Sequence, residues 1–190
     1  SGQGAMLNSL FGDSDSRRIG EALYFDAVEQ ARQPYLYSDM GVPDTVDGRF
    51  DMIATHVFLI LHRLKAGGDE TQAASQALFD AMFGDMDRGL REMGAGDLGV
   101  GRRVKAMAKA FYGRVAAYEN GLETSGGALA EAVLRNVFRG DEAEREAAKM
   151  LADYISRQSS ALSGQPLAAF LSGKVAFAAT APSGDATGIS

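Results

Sequence analysis

One stretch of this chain leaves little freedom in what it can fold into. After Thr45 and before the Gly67-Gly68 pair, Phe50, Ile53, Ala54, Val57, Ile60, Leu61 and Leu64 recur at intervals of three and four residues. Met52, Phe58 and Leu59 place further apolar groups on the rest of the circumference. Recurrence at three and four marks a helix, and a helix apolar nearly all round has no face to give to water. It must be enclosed. The spacing predicts a central helix that opens near Asp44 to Asp47, with Asp44 or Thr45 as N-cap, and stops at the glycine pair. Its longest uncharged apolar run, 52–61, is far shorter than the roughly 20 residues that span a bilayer. The enclosing material is therefore expected to be protein.

The rest of the chain supplies it. A first helix is predicted over 16–33, capped by Asp15 or Ser16 and stopped by Pro34, with Ile19, Leu23, Ala27 and Val28 on its apolar side. Residues 34–48 hold two prolines and two glycines and read as a loop, whose Tyr35, Leu36 and Tyr37 are expected to pack down. A third helix over 70–93 carries the stripe Leu78, Phe79, Met82, Phe83, Met86, Leu90 and Met93. Its other side offers Asp87–Arg91 and Arg88–Glu92 as four-residue ion pairs, while Gly84 and Gly89 weaken it by about 1 kcal/mol each relative to Ala. A fourth helix over 98–120 has a narrow stripe of Val100, Val104, Met107, Phe111, Val115 and Tyr118, with Gly121 as its stop. A fifth runs over 125–139. The sixth opens at Asp141, with Glu144 completing a capping box. One apolar segment remains after Pro166, LAAFLSGKVAFAA (167–179), read as a short helix packed on the bundle with a strand as the lesser alternative. The expected fold is all-α: one helical bundle of about six helices over 16–172, preceded by a tag remnant and flexible N-terminus (1–15) and followed by a mostly disordered tail (173–190).

Composition removes several classes of function. The 190 residues carry a formal net charge of −6, which argues against a nucleic-acid binder. There is no cysteine, and the two histidines, His56 and His62, are too few for a His-rich metal site. No cofactor and no metal is expected. No signal or transit segment is visible, which suggests a cytoplasmic protein. Gly94-x-Gly96-x-x-Gly99 spells a dinucleotide fingerprint, but a helix precedes it where the motif needs a strand. It is read as an inter-helix turn in which Asp97 caps the fourth helix. Asp85-x-Asp87-x-Gly89 lacks the glutamate of a calcium loop. His56 is read as a structural hydrogen bonder on the central helix, with Arg63 seven residues on along the same side, and no nucleophile is set beside a base.

The fourth helix is where recognition is expected. Arg102, Lys105 and Lys109 lie opposite its apolar stripe, Arg103 and Arg114 flank the stripe, and Tyr112, Gly113 and Ala116 share the outward side. A basic face on an acidic protein, rimmed by an aromatic and small residues, suits an acidic or membrane-proximal partner. With Arg88 and Arg91 of the preceding helix, the partner-binding candidates are Arg88, Arg91, Arg102, Lys105, Lys109, Tyr112 and Arg114. The alternative is a Met- and Phe-lined pocket between helices for a small molecule or lipid.

The same region carries a resemblance. LFD (78–80), DMDRGLREMG (85–94), GDLGVG (96–101) and FYGRVAAY (111–118), preceded by His56 and Arg63-Leu64, resemble the ubiquinol–cytochrome c chaperone family. The likeness covers about residues 20–160. Its motif positions fall on Asp80, Asp85, Arg88, Arg91, Glu92, Gly94, Asp97, Phe111, Tyr112, Gly113, Arg114 and Tyr118, and Gly99 stands where the family is expected to have Ser or another small residue. The resemblance implies an all-helical, non-enzymatic assembly factor of the cytochrome bc1 complex that holds cytochrome b or another subunit, with a small co-chaperone; with no transit segment visible, a bacterial member acting beside the inner membrane is expected. It implies no catalytic residues.

Overall fold

A computed structural model describes residues 3–94 and 96–179, with side chains described from residue 12 onward. Among them are eight α-helices and no strand. The helices are α1 (Gln3–Ala31), α2 (Tyr35–Ser38), α3 (Val46–Lys65), α4 (Gln72–Glu92), α5 (Asp97–Glu123), α6 (Ala128–Asn136), α7 (Arg145–Ser163) and α8 (Leu167–Leu171). Six of them are long, and the other two are single turns.

The centre is α3. Thr45 caps it by accepting the Gly48 N–H at 3.1 Å, and Asp44 is left to pair with Arg49 at 2.8 Å. From Asp51 to Ile60 only Ile53 is not fully buried. Helices α1, α4 and α7 wrap it, and α5 reaches it over a shorter length. Leu23, Leu36, Leu78, Phe111, Val133, Leu151 and Ile155, from six other helices, complete one core with it. Fully burying one such side chain contributes about 1.5–3 kcal/mol, so enclosing α3 is the main source of stability. The Met and Phe stripe of α4 is spent here too. Leu78 and Met82 are buried, and Phe79, Phe83 and Met86 pack against the core.

Several boundaries differ from expectation, each for a local reason. Helix α1 begins at Gln3, so residues 3–15 belong to the first helix, and Asp15 serves inside it as the partner of Arg18 at 2.9 Å. The loop after Pro34 contains the turn α2, from which Leu36 points into the core. Asp97 does not cap α5. The cap position is Gly96, with no side-chain bond, and Asp97 lies in the first turn, where its charge still complements the helix dipole. Gly121 is no stop, because α5 runs through it to Glu123. A Cβ there would lie 2.6 Å from the Leu129 Cα, so its bare backbone is the crossing point of α5 on α6. Asp141 caps a 3₁₀ turn through the Ala143 N–H at 3.0 Å, and no capping box with Glu144 forms. Residues 173–179, expected in the tail, are packed on the body: Gly173 is buried, and Val175 and Phe177 lie against the core. The expected tail over 180–190 lies outside the described residues.

Gly20 plays on α1 the part that Gly121 plays on α5. A Cβ at Gly20 would come within 2.4 Å of the Ala77 carbonyl carbon, backbone that cannot swing aside. Gly84, also inside a helix, has open space around it. Alanine is ordinarily better than glycine in a helix by about 1 kcal/mol. Gly84→Ala is expected to stabilise the protein by up to about that amount, whereas Gly20→Ala should destabilise it by about 1–3 kcal/mol by forcing α1 off α4. Urea denaturation of both variants checks the pair, and equal shifts would show that α1 does not sit on α4 this closely.

Candidate functional site

The region expected to recognise a partner is the hairpin of α4 and α5, and its geometry begins at a charge inside the core. Asp51 lies on α3 with 1% of its surface exposed. Arg114 of α5 reaches it at 2.5 Å, and Arg139, after α6, reaches its other oxygen at 3.2 Å. Burial pushes the Asp51 carboxyl up to about 6, and the two guanidiniums pull against that rise. At neutral pH the carboxylate is therefore ionised, and α5 is tethered to α3 through it. The Arg114 guanidinium also lies over the Phe50 ring at 5.3 Å. This takes Arg114 out of the expected docking face. It is buried, and it is the bolt that holds α5.

Above this anchor the seam of the hairpin is aromatic. Phe79 stacks on Tyr112 at 5.4 Å and contacts Phe83 at 4.4 Å, with Phe111 buried beneath. Tyr112 keeps 58% of its surface exposed. At the far end the hairpin turns through Gly94, at φ 85°, between two strongly exposed apolar side chains, Met93 and Leu98.

The expected site residues divide by what they are doing. Arg91 pairs with Asp87 at 2.8 Å, as its spacing predicted, and also with Asp97, so it braces the turn. Arg88 pairs with Asp85 at 3.4 Å and not with Glu92. Asp85 in turn accepts the Tyr24 hydroxyl at 2.6 Å, which ties α4 to α1. Arg102, Lys105 and Lys109 are different. They follow one another along the exposed side of α5, joined there by Leu98, Gly113 and Ala116. Among the described residues none of the three has an ion-pair partner, and Arg103 beside them has none either. Between 98 and 118 the helix carries five basic and no acidic residues.

On the opposite side of α3 lies a second polar node. His56 is fully enclosed. Its Nδ1 lies 2.7 Å from the Met52 carbonyl oxygen, which can only accept, so Nδ1 carries the proton. Its Nε2 then accepts from the Tyr154 hydroxyl at 2.7 Å, and that hydroxyl accepts from Gln30 at 3.0 Å. Burial lowers the His56 pKa to about 4. Seven residues on, Arg63 donates to the Leu162 and Gln165 carbonyls at 2.9 and 2.7 Å and satisfies the C-terminal end of α7. His56 and Arg63 share a side of α3 because both hold α7.

Sequence reasoning passed over Asp51, Arg139 and Tyr154. A signal existed for the first: a carboxylate in the middle of an otherwise apolar run has to be paired. The described residues also form an open groove of about 960 Å³ between α1 and α4, lined by Tyr24, Phe25, Val28, Ala77 and Ala81. Its rim is charged, with Arg17, Glu21, Asp80 and Arg88, and so it is not the enclosed Met- and Phe-lined pocket of the alternative reading.

Comparisons with known proteins bear on the same region. A family model described as ubiquinol-cytochrome C chaperone matches residues 38–177. The crystal structure of the Cbp3 homolog from Brucella abortus is similar with a TM-score of 0.78 and 35% identity, covering 92% of this chain and 97% of that one. Ubiquinol-cytochrome-c reductase complex assembly factor 1 of Xenopus laevis is 23% identical over 136 residues, 72% of this chain and 68% of the frog protein. The Drosophila melanogaster protein of that name is 25% identical over 154 residues, 78% of this chain and 60% of its own length. The chain thus spans about two thirds or less of these animal proteins.

Two outcomes are expected from the polar anchors. Asp51→Asn leaves Arg114 buried without its counter-charge and should cost about 3–5 kcal/mol in urea denaturation, with a large part regained in the Asp51→Asn, Arg114→Met double variant. An unchanged midpoint in the single variant would show that the pair carries no load. For His56, a ring buried neutral is charged more readily in the unfolded chain. Its stabilising effect is therefore present above about pH 6.5 and is lost as the pH falls towards 4, by an amount on the order of 3 kcal/mol. The stability gap between the wild-type protein and His56→Asn should narrow over that range, and a gap independent of pH would refute the buried neutral ring.

Proposed function

The chain belongs to the ubiquinol–cytochrome c chaperone family, and from that premise we propose that it is a non-enzymatic assembly chaperone that holds newly made cytochrome b during biogenesis of the bc1 complex. Assembly of that complex is the work of the family, and its members are not known as enzymes. The client, the surface that meets it and the place of action belong to the proposal.

The observation that carries it is the outward face of α5. Arg102, Lys105 and Lys109 stand exposed and unpaired among the described residues on a protein of net charge −6. A folded chain gains little by concentrating like charges, and three cations within two turns repel one another. Such an arrangement gains free energy when a partner brings the opposite charge, and it speeds the encounter with one. Tyr112 and Leu98 add apolar area at the two ends of the stripe, as recognition surfaces require. Arg91 and Arg88 support this surface by holding the turn and α4 in place, and Arg114 supports it from below.

In this reading the protein works in the cytoplasm of a bacterium, beside the inner membrane into which its client inserts, together with a small co-chaperone. No helix among the described residues is long and apolar enough to cross a membrane. Membrane proximity would then come from the client and from the basic face.

Charge reversal tests it. Arg102→Glu, Lys105→Glu and Lys109→Glu together are expected to leave the thermal midpoint within a few degrees of wild type, because exposed charges contribute little to stability. The same variant should recover at most a tenth as much cytochrome b in pull-downs from solubilised membranes. Full recovery by a folded triple variant would reject this face as the docking surface.

A further inference from the structure

The last described residues form a structure that the assembly role does not explain. After α8 the chain turns at Gly173, φ 83°, and continues extended through residue 179 across α1, α3 and α7. Its side chains alternate. Gly173, Val175 and Phe177 are turned to the body, while Lys174 and Ala176 are exposed. Phe177 meets the His56 ring edge-on at 5.3 Å and 82°.

What holds this strap is mostly its backbone. The Val175 N–H donates to Asp26 at 3.2 Å. Gln165 takes the Ala176 residue at both its polar groups: its Oε1 accepts the N–H at 3.1 Å, and its Nε2 donates to the carbonyl. Gln158 does the same to Ala178, accepting at 2.8 Å and donating at 2.9 Å. Gln158 on α7 and Gln165, just beyond the end of that helix at Ser163, thus clasp alternate residues of an extended chain. A side-chain amide carries the same donor and acceptor as a peptide group. A clasp of this kind reads main chain and leaves sequence to whatever pockets lie beneath, as in other sites that bind extended peptides. Gln158 is only 2% exposed. Its amide is buried beneath the strap, with both polar groups satisfied by the strap's main chain.

We propose that the surface under this strap is a peptide-binding groove, occupied here in cis, that accepts in trans an extended apolar segment with large side chains at alternate positions. Such a segment is what an unfolded client chain presents. The identity of the occupant rests on the chaperone reading, whereas the groove does not. The contacts the strap uses are available to any chain of that pattern, since only Val175 and Phe177 contribute large apolar side chains. The strap has the advantage of being tethered, which is equivalent to a local concentration in the millimolar range. A client segment therefore enters when it binds more tightly or when the strap is loosened.

The probe is a fluorescent peptide with the sequence of residues 173–179, followed by anisotropy with the full chain. Phe177→Ala, which loosens the strap and keeps the groove, is expected to bind the peptide at least tenfold more tightly than the wild-type chain. Adding Gln158→Ala and Gln165→Ala should abolish that gain. A peptide of the same composition with Val and Phe adjacent, out of alternation, should bind at least tenfold more weakly. A folded Phe177→Ala chain that binds no peptide, or binds both equally, overturns the proposal. Should that variant fail to fold, hydrogen exchange of the unsubstituted chain decides. The amides of Ala176 and Ala178 are expected to exchange at least a hundredfold faster than that of Ile60 in α3, and equal protection would make the strap a permanent part of the core and overturn the proposal. None of these readouts involves cytochrome b or the α5 cations, so failure of the groove and failure of the assembly role are separate results.

Discussion

A polar side chain on an enclosed helix must find a partner; Thr55 finds one in its own helix, while Asp51, His56 and the half-buried Arg63 of α3 take partners from other elements. Asp51 receives Arg114 from α5 and Arg139 from beyond α6. His56 receives the Tyr154 hydroxyl from α7, and Arg63 receives the carbonyls at the end of α7. Apolar burial alone is indifferent to small rotations of one helix on another. Hydrogen bonds, including those between charged groups, are not, because their donor–acceptor distances are confined to about half an ångström and their angles are restricted. The greasy surface of α3 makes the bundle stable, and these three side chains set which helix lies where. The proposed recognition surface inherits its orientation from them, since α5 turns its cations outward only while Arg114 is held inward.

The two sides of α5 show how one helix divides its work. Its inward stripe is apolar and ends in the Gly121 crossing, where the missing side chain lets α6 approach. Its outward side is cationic and short of partners. On α4 the basic residues are spent differently: Arg91 spans the turn between Asp87 and Asp97, and Arg88 shares Asp85 with Tyr24. Residues of one type in one neighbourhood thus separate into structural braces and free charges. That distinction supports assigning recognition to α5 in preference to the whole hairpin.

The strap over α7 adds a second kind of surface to the same molecule. The α5 face is cationic and built from exposed side chains, and it suits long-range attraction. The proposed groove is filled by main chain and lined by a buried histidine and two glutamines, which suits an unfolded segment at short range. The two lie on different sides of the central helix, so a client could meet both without competition between them.

Much of this was legible in the chain itself. Apolar intervals of three and four, bounded by prolines and glycines, placed the central helix and its neighbours, because local spacing and burial are enough to make a helix amphipathic or wholly apolar. The motifs around 78–118 were sufficient for the family, and the local excess of cations on an acidic protein singled out α5. The exact helix ends were less legible. Asp97, Gly121 and Asp141 each have a residue type suited to ending a helix, and only their neighbours decide whether they do. Arg114 was grouped with its cationic neighbours although its spacing from Phe111 and Tyr118 sets it beside the apolar stripe, because the carboxylate it meets, Asp51, lies on another helix. The apolar stretch that forms the strap was legible, but its path was hidden for a related reason. An extended segment has no internal hydrogen bonds of its own, so its conformation is written in Gln158, Gln165 and Asp26, side chains that are far from it in sequence. Sequence alone determined the secondary elements, the class and the family, which depend on near neighbours along the chain. Only the tertiary structure decided which polar groups meet, because pairing a buried charge or an open peptide group depends on residues brought together from 10 to 150 positions away.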